Sequence, residues 1–385
     1  MEWLSRVDDR VVSIAPRIDA IAPSPDGALL AVFPSRASDP DFVRRERVYV
    51  IERATGREVV TLDGPEIFRA LAWVGDDALL VLRDHPVRGA WVRLHAIPDG
   101  GVERALHLDD PPDARGTLSV AEDLSRCVFT PTAPRGSVPV AWALDLPTLT
   151  VLARVTTADT DDTFYADLLL HPEGTHLLGV GGFDLRVIPL PGGAFATTSG
   201  RLPNGTSVDT ITWLSRRRVL ATPSLVAFDD GEAPFVFDLA TGAIDPLTGF
   251  DGVLCADACA EPDRRGVAIT TQPRRDAGSL EASLRVLDVE TGAIVSDRPW
   301  RAFAAYAVRV RWWSDGTIVT AGATSAGFAL ARWSSRDGGP TALATVAPRG
   351  SRSTHALAGV GEAVVMLSHY DLSSGSFVDL VEAAP

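Results

Sequence analysis

His171 and His176, in "HPEGTH", stand at an H-x4-H spacing that could begin a metal site. A tetrahedral or octahedral ion needs further ligands, and none lies near in the sequence, so both are expected to be turn and strand surface residues. His171-Pro172-Glu173 reproduces the H-x-E half of a zinc deaminase signature, but the P-C-x-x-C half is absent. No G-x-S-x-G nucleophile elbow occurs. "DTDD" (159–162) offers hard oxygen ligands for Ca2+. It lacks the glycine and distal glutamate of an EF-hand loop, so a solvated acidic loop is expected. The three cysteines, Cys127, Cys255 and Cys259, form no disulfide framework and have no histidine at a zinc-finger interval. They are expected to be buried reduced thiols that pack as small hydrophobes.

All 36 basic residues are arginine. A Walker A loop needs a lysine on the β/γ-phosphates, a Schiff-base enzyme needs a lysine amine, and a protein kinase needs a strand lysine. Its absence argues against all three classes. No catalytic group, metal or cofactor is therefore expected. Asn204 and Gln272 are each the only residue of their type, which fits codon bias from a GC-rich genome. Escape from lysine-directed modification is the alternative.

The 385 residues are 46% hydrophobic, enough for a large core or two ordinary ones. No apolar run approaches the ~20 residues of a membrane span. Arg6, Asp8, Asp9 and Arg10 fall where a signal peptide needs an apolar stretch, so a cytoplasmic location is expected. The net charge of −14 disfavours nonspecific binding to nucleic acid or an anionic membrane.

The elements that position these residues repeat. An apolar strand, a charged turn and a second apolar strand recur eight times, as in "IAPSPDGALLAVF" (21–33) and "VRWWSDGTIVTAG" (310–322). One turn residue from each, Asp26, Asp76, Asp123, Glu173, Arg216, Asp263, Asp315 and Glu362, gives intervals of 43 to 52 residues. Between them lies a second strand pair. Three of these pairs turn on Ala-Thr-Gly or Glu-Thr-Gly, at Gly56, Gly242 and Gly292. Period-two alternation with Gly, Asp and Pro at the boundaries marks strands, and helical periodicity is nearly absent.

Four antiparallel strands per repeat make the blade of a β-propeller. One all-β domain over 1–385 is expected, with blades near 18–64, 68–108, 115–156, 163–200, 208–249, 251–299, 305–347 and 353–383. The last unit is one strand short, and "RVVSIA" (10–15) is expected to complete it and pair its open edge. Seven blades with an extra terminal segment is the alternative.

The "SPDG" turn at Ser24-Pro25-Asp26-Gly27 and the "D-x-x-TG" hairpin at Asp238–Gly242 resemble those of WD40-like and PD40-type propeller repeats. The Gly-His and Trp-Asp dipeptides of true WD40 repeats are missing. The resemblance implies a binding surface for another macromolecule, with enzymes on some rings of this kind. The chain is expected to be a monomeric, noncatalytic protein-binding module or scaffold subunit. The alternative is an enzyme or a small-ligand or metal binder using the mouth of a central channel.

The binding face is expected on the long loops joining second and third strands. These carry Arg44, Arg45, Arg135, Arg274 and Arg275. Inter-blade loops assigned to the same face carry Asp109, Asp161 and Asp162.

Overall fold

The structure is a computed structural model that describes residues 3–7, 9–34, 46–64, 66–85, 89–108, 116–131, 141–155, 167–181, 184–191, 198–201, 208–223, 233–251, 253–273, 282–299, 309–313, 315–324, 327–334, 340–346, 353–360, 364–371 and 375–382. Among them every regular element is a β-strand. Ile67–Val74, Ala78–His85, Gly89–Ala96 and Val102–Leu108 pair in chain order as one antiparallel sheet, the second blade. Among the described residues there are six such four-stranded sheets, and a larger sheet through the strand Val11–Pro23 supplies two further blades, eight in all, which removes the seven-bladed alternative.

The chain divides into two compact units. One comprises Met1–Trp3 and Pro16–Ser199 and carries blades one to four; the other comprises Leu4–Ala15 and Gly200–Pro385 and carries blades five to eight. In both, apolar cores lie between successive blades rather than within them. Phe33 and Val48 pack on Trp73 and Leu79. Leu82 and Val92 pack on Phe129 and Trp142, and Ile188 joins Val128 and Ala143 at the next seam. In the second unit, Ala268 and Leu284 pack on Trp312 and Trp333. Cys127 and Cys255 take part in these cores, as expected of small hydrophobes.

Burial falls off along each blade. The second strand Ala78–His85 is buried over all but its last residue, whereas the first five residues of the fourth strand Val102–Leu108 are mostly exposed. The strand pattern follows from this: continuous apolar runs in the middle of the blade, mixed sequence at its edge.

Turn chemistry fixes the hairpins. Ser24 Oγ donates to Asp26 Oδ1 (2.6 Å) and accepts from Leu29 N (2.9 Å), and Gly27 takes φ 71°. Asp238 accepts from Thr241 N and Thr241 Oγ1, both at 3.0 Å, and Gly242 takes φ 73°. Asp288, Thr291 and Gly292 repeat this arrangement. In blade three Leu149 holds the same left-handed position at φ 50°, and Leu124 holds the position of Gly27 at φ 57°.

Arginines lock the seams. Arg104 Nη1 donates to Leu146 O of the next blade (3.0 Å), and Arg126 Nη1 to Gly174 O (2.9 Å). Arg285 Nη1 reaches Gly249 O (2.7 Å) and Arg298 Nη1 reaches Ser334 O (2.5 Å). A planar fork with five donors reaches an orphan carbonyl and keeps donors for other partners.

The eighth blade is completed from the far end of the chain. Strand Gly375–Glu382 pairs with the first part of Val11–Pro23, whose second part enters blade one. The expected 10–15 strand is therefore the start of a longer one. Glu382 N donates to Arg10 O (2.9 Å), and Ser13 Oγ donates to the carboxylate of Asp379. Both of those side chains are buried, Asp379 completely. Val11 packs with Leu357, Val365 and Val381. Burying Val11 and Ile14 stabilises the blade by roughly 1.5–3 kcal/mol each.

Two outcomes follow. Ser13→Ala withdraws a donor from a buried carboxylate and should cost about 1–3 kcal/mol in urea unfolding. The double variant with Asp379→Ala should cost less than the two single changes added together, and strict additivity would refute the coupling. Leu124→Gly relieves a left-handed leucine and should raise stability by about 0.5–1 kcal/mol, where an unchanged or lower melting temperature would contradict the strain.

Candidate functional site

The loop-face residues expected to bind a partner, Arg44, Arg45, Arg135, Arg274, Arg275, Asp109, Asp161 and Asp162, all lie outside the described residues, as does "DTDD". What the structure does describe is the ground on which one of these loops stands. Glu46 directly follows Arg45 and is buried, and beside it lies a charged network at the seam of blades one and two.

At its centre is Arg83, at the end of the second strand of blade two and 2% exposed. Its Nη1 donates to Glu46 O (2.6 Å) and its Nη2 to Leu62 O (2.8 Å). The guanidinium thus holds the start of the third strand of blade one and the end of its fourth. The Glu46 carboxylate accepts from Phe68 N, which ties the loop root to the first strand of blade two. Glu66, also buried, accepts from both Nη atoms of Arg93, at 2.7 and 3.1 Å. Arg69 pairs with Asp84 at 2.8 Å. Gly64 leaves room for this packing: a Cβ there would sit 2.8 Å from Glu66 Oε2 and 3.1 Å from Arg83 Cδ.

Electrostatics follow from the geometry. Burial pushes the Arg83 guanidinium down to about 10, against the pull of Glu66 and Glu46, and it stays charged at neutral pH. For Glu66 burial pulls upward most strongly of any single effect. The hydrogen bonds and charge of Arg93, with Arg83 behind them, together outweigh it and hold the carboxyl below its ordinary value.

A second buried carboxylate, Asp257, joins the first strands of blades six and seven. It accepts from Val310 N (3.0 Å) and Arg311 Nη1 (3.2 Å), with Arg309 at 4.0 Å. Both networks pair arginine with groups of the chain itself, and what they supply is fixed backbone. Burial pushes the Cys127 and Cys255 thiols up to about 12, which makes them poor nucleophiles at neutral pH. Among the described residues no three of His, Cys, Asp and Glu converge as a metal site would require.

The histidines are a correction to the sequence reading. His171 and His176 are each 1% exposed, not surface residues. His171 stands at the turn position in blade four that Ser24 holds in blade one, and its Nδ1 accepts from Glu173 N (3.1 Å), so its ring folds under the turn. The network around Arg83 was missed by sequence reasoning. Its signal was the charged end of the otherwise apolar "ALLVLRDH".

No family model and no curated sequence matches the chain. Its likenesses are structural. The C-terminal WD40 domain of Sif2 superposes with a TM-score of 0.60 at 10% identity, covering 100% of this chain and 99% of that one. A eukaryotic initiation factor gives 0.55 at 12% identity, over 97% and 90%. The fold is a β-propeller. The propeller is also similar to the dihydro-heme d1 dehydrogenase NirN, with a TM-score of 0.54 at 12% identity over 97% of this chain and 75% of that one. At such identities the likeness shows the fold alone.

Arg83→Ala withdraws the donors from the Glu46 and Leu62 carbonyls and the positive charge beside Glu46 and Glu66, and should destabilise the propeller by about 2–5 kcal/mol in urea unfolding. Glu66 has a depressed folded pKa, so its stabilisation is complete above the ordinary glutamate range and is lost as pH falls through the folded value. Glu66→Gln should therefore flatten the stability curve below about pH 5, and an unchanged slope there would exclude Glu66 as a contributor.

Proposed function

We propose that this propeller is a noncatalytic protein-binding module of a cytoplasmic assembly, docking a partner on the loops between second and third strands. The observation that carries the reading is the anchoring of Glu46. A buried arginine and a buried carboxylate fix the residue that follows Arg44 and Arg45, so that loop leaves the blade from a defined point. A fixed root preorganises the ground on which a binding surface stands, which lowers the cost of association. The partner's complementary chemistry is acidic or aromatic, because an arginine fork binds carboxylates in a bidentate way and stacks on rings. The WD40 likeness supports macromolecular binding in general terms. Among the described residues no helix is long and apolar enough to cross a membrane, and the net charge opposes nucleic acid as the partner.

The rival reading, an enzyme or small-ligand propeller, draws its support from the likeness to NirN. It assigns no role to the arginine loops.

Arg44→Glu/Arg45→Glu and Arg274→Glu/Arg275→Glu are the test, assayed against the partner captured from native lysate by the parent protein. Both variants should fold normally, and at least one should lose ten-fold or more in affinity, the effect of removing about 1.4 kcal/mol. Parental binding by both would place the interaction elsewhere.

A further inference from the structure

The segment Leu4–Ala15 belongs to the compact unit built from the second half of the chain, while Pro16 onward belongs to the other. Within that unit it is a small hairpin of its own. Leu4, Ser5 and Arg6 pair with Ile14, Ser13 and Val12, and Val7 N closes the turn on Val11 O (2.8 Å). Its recognition features are specific. Val11 fills an apolar slot with Leu357, Val365 and Val381; the Ser13 hydroxyl meets the buried Asp379; and Arg10 O receives Glu382 N. These partners in the last blade lie more than 340 residues away along the chain.

On the hairpin's other side, the ladder of Val11–Pro23 to Leu29–Pro34 begins only at Ile18. Residues 15–17, with Pro16 at the centre, form the crossing between two separate sets of contacts. Proline brings no N–H to a ladder, so opening the crossing there breaks no donor of its own.

We propose that the last blade is a strand-acceptor site that takes the segment Arg10–Ala15 from a second copy of the chain, giving a strand-exchanged dimer. The slot reads a sequence that every copy carries. Exchange replaces each contact by an identical one, so the two forms differ only in association entropy and in the conformation of the crossing. The monomer is the resting form at low concentration, because a tethered segment has a high effective concentration for its own blade. Partial opening at high concentration shifts the balance to the dimer. The reciprocal partner is excluded from neither copy: each donates one hairpin and accepts one.

Arg10 and Glu382 are exposed cross-strand neighbours, so cysteines there report the seated strand without disturbing the core. Full-length Arg10→Cys chains and full-length Glu382→Cys chains are mixed, partly unfolded together at high concentration, and returned to native conditions with an oxidant. A disulfide-linked dimer should form in the mixture and in neither variant alone. A mixture that stays monomeric, while the double variant Arg10→Cys/Glu382→Cys closes its own disulfide, overturns the proposal. A second readout needs no cross-link: isotope-labelled and unlabelled parent chains, annealed in the same way, should give mixed dimers by native mass spectrometry. Those dimers should be lost in Asp379→Ala. Only monomers after annealing, or dimers that persist when residues 1–15 are deleted, overturn it as well.

Discussion

A hydroxyl and a carboxylate separated by 366 residues, Ser13 and Asp379, meet inside the last blade, and the completeness of that blade depends on the meeting. The need for it comes from where the cores lie. Within each compact unit the sheets bury their faces against neighbouring sheets, so a blade is not stable alone, and a blade lacking a strand exposes a row of unpaired backbone groups. The strand that carries Ser13 satisfies both demands. It adds Val11 to the apolar seam between blades seven and eight, and covers the edge of Gly375–Glu382. Placing a polar pair rather than two more aliphatic groups at this point adds register. A one-residue slip would turn Ser13 away and leave the carboxylate of Asp379 facing a valine or an isoleucine.

Arginine is the second organising residue. Blade edges and turns end in carbonyls that no strand satisfies. Arg104, Arg126, Arg285 and Arg298 reach across to such carbonyls, and Arg83 holds two at once. An ammonium group on a flexible stem would supply charge without the fork. A chain whose basic residues are all arginine is thus well suited to seams of this kind, whatever the origin of that composition.

The repeat was legible because strand alternation and turn chemistry are local. Ser24, Asp26 and Gly27 in one blade and Asp238, Thr241 and Gly242 in another fix their hairpins with partners at most five residues away. The pattern also survived its exceptions, since Leu124 and Leu149 take left-handed backbone where other blades place glycine. What could not be read was long-range. His171 was read as a surface residue because nothing in "HPEGTH" says that its ring serves as the acceptor in its own turn. The network of Glu46, Glu66, Arg83 and Arg93 is assembled from four strands and loops of two blades, and only their packing brings it together. The strand 10–15 was found by counting, but its continuation into blade one was hidden because the alternation does not break at Pro16.

The far-separated clasp also sets a schedule. On a ribosome the hairpin that completes the last blade is made long before its acceptor, 366 residues further on. At the usual elongation rates of about 5–20 residues per second, roughly 20–70 s pass between synthesis of Ser13 and of Asp379. For all that time a short apolar strand has no partner, while the blades behind it emerge and pack in order. A nascent chain of this design keeps that strand unpaired until the last blade appears, and until then the strand is exposed to chaperones and to neighbouring chains on the same message.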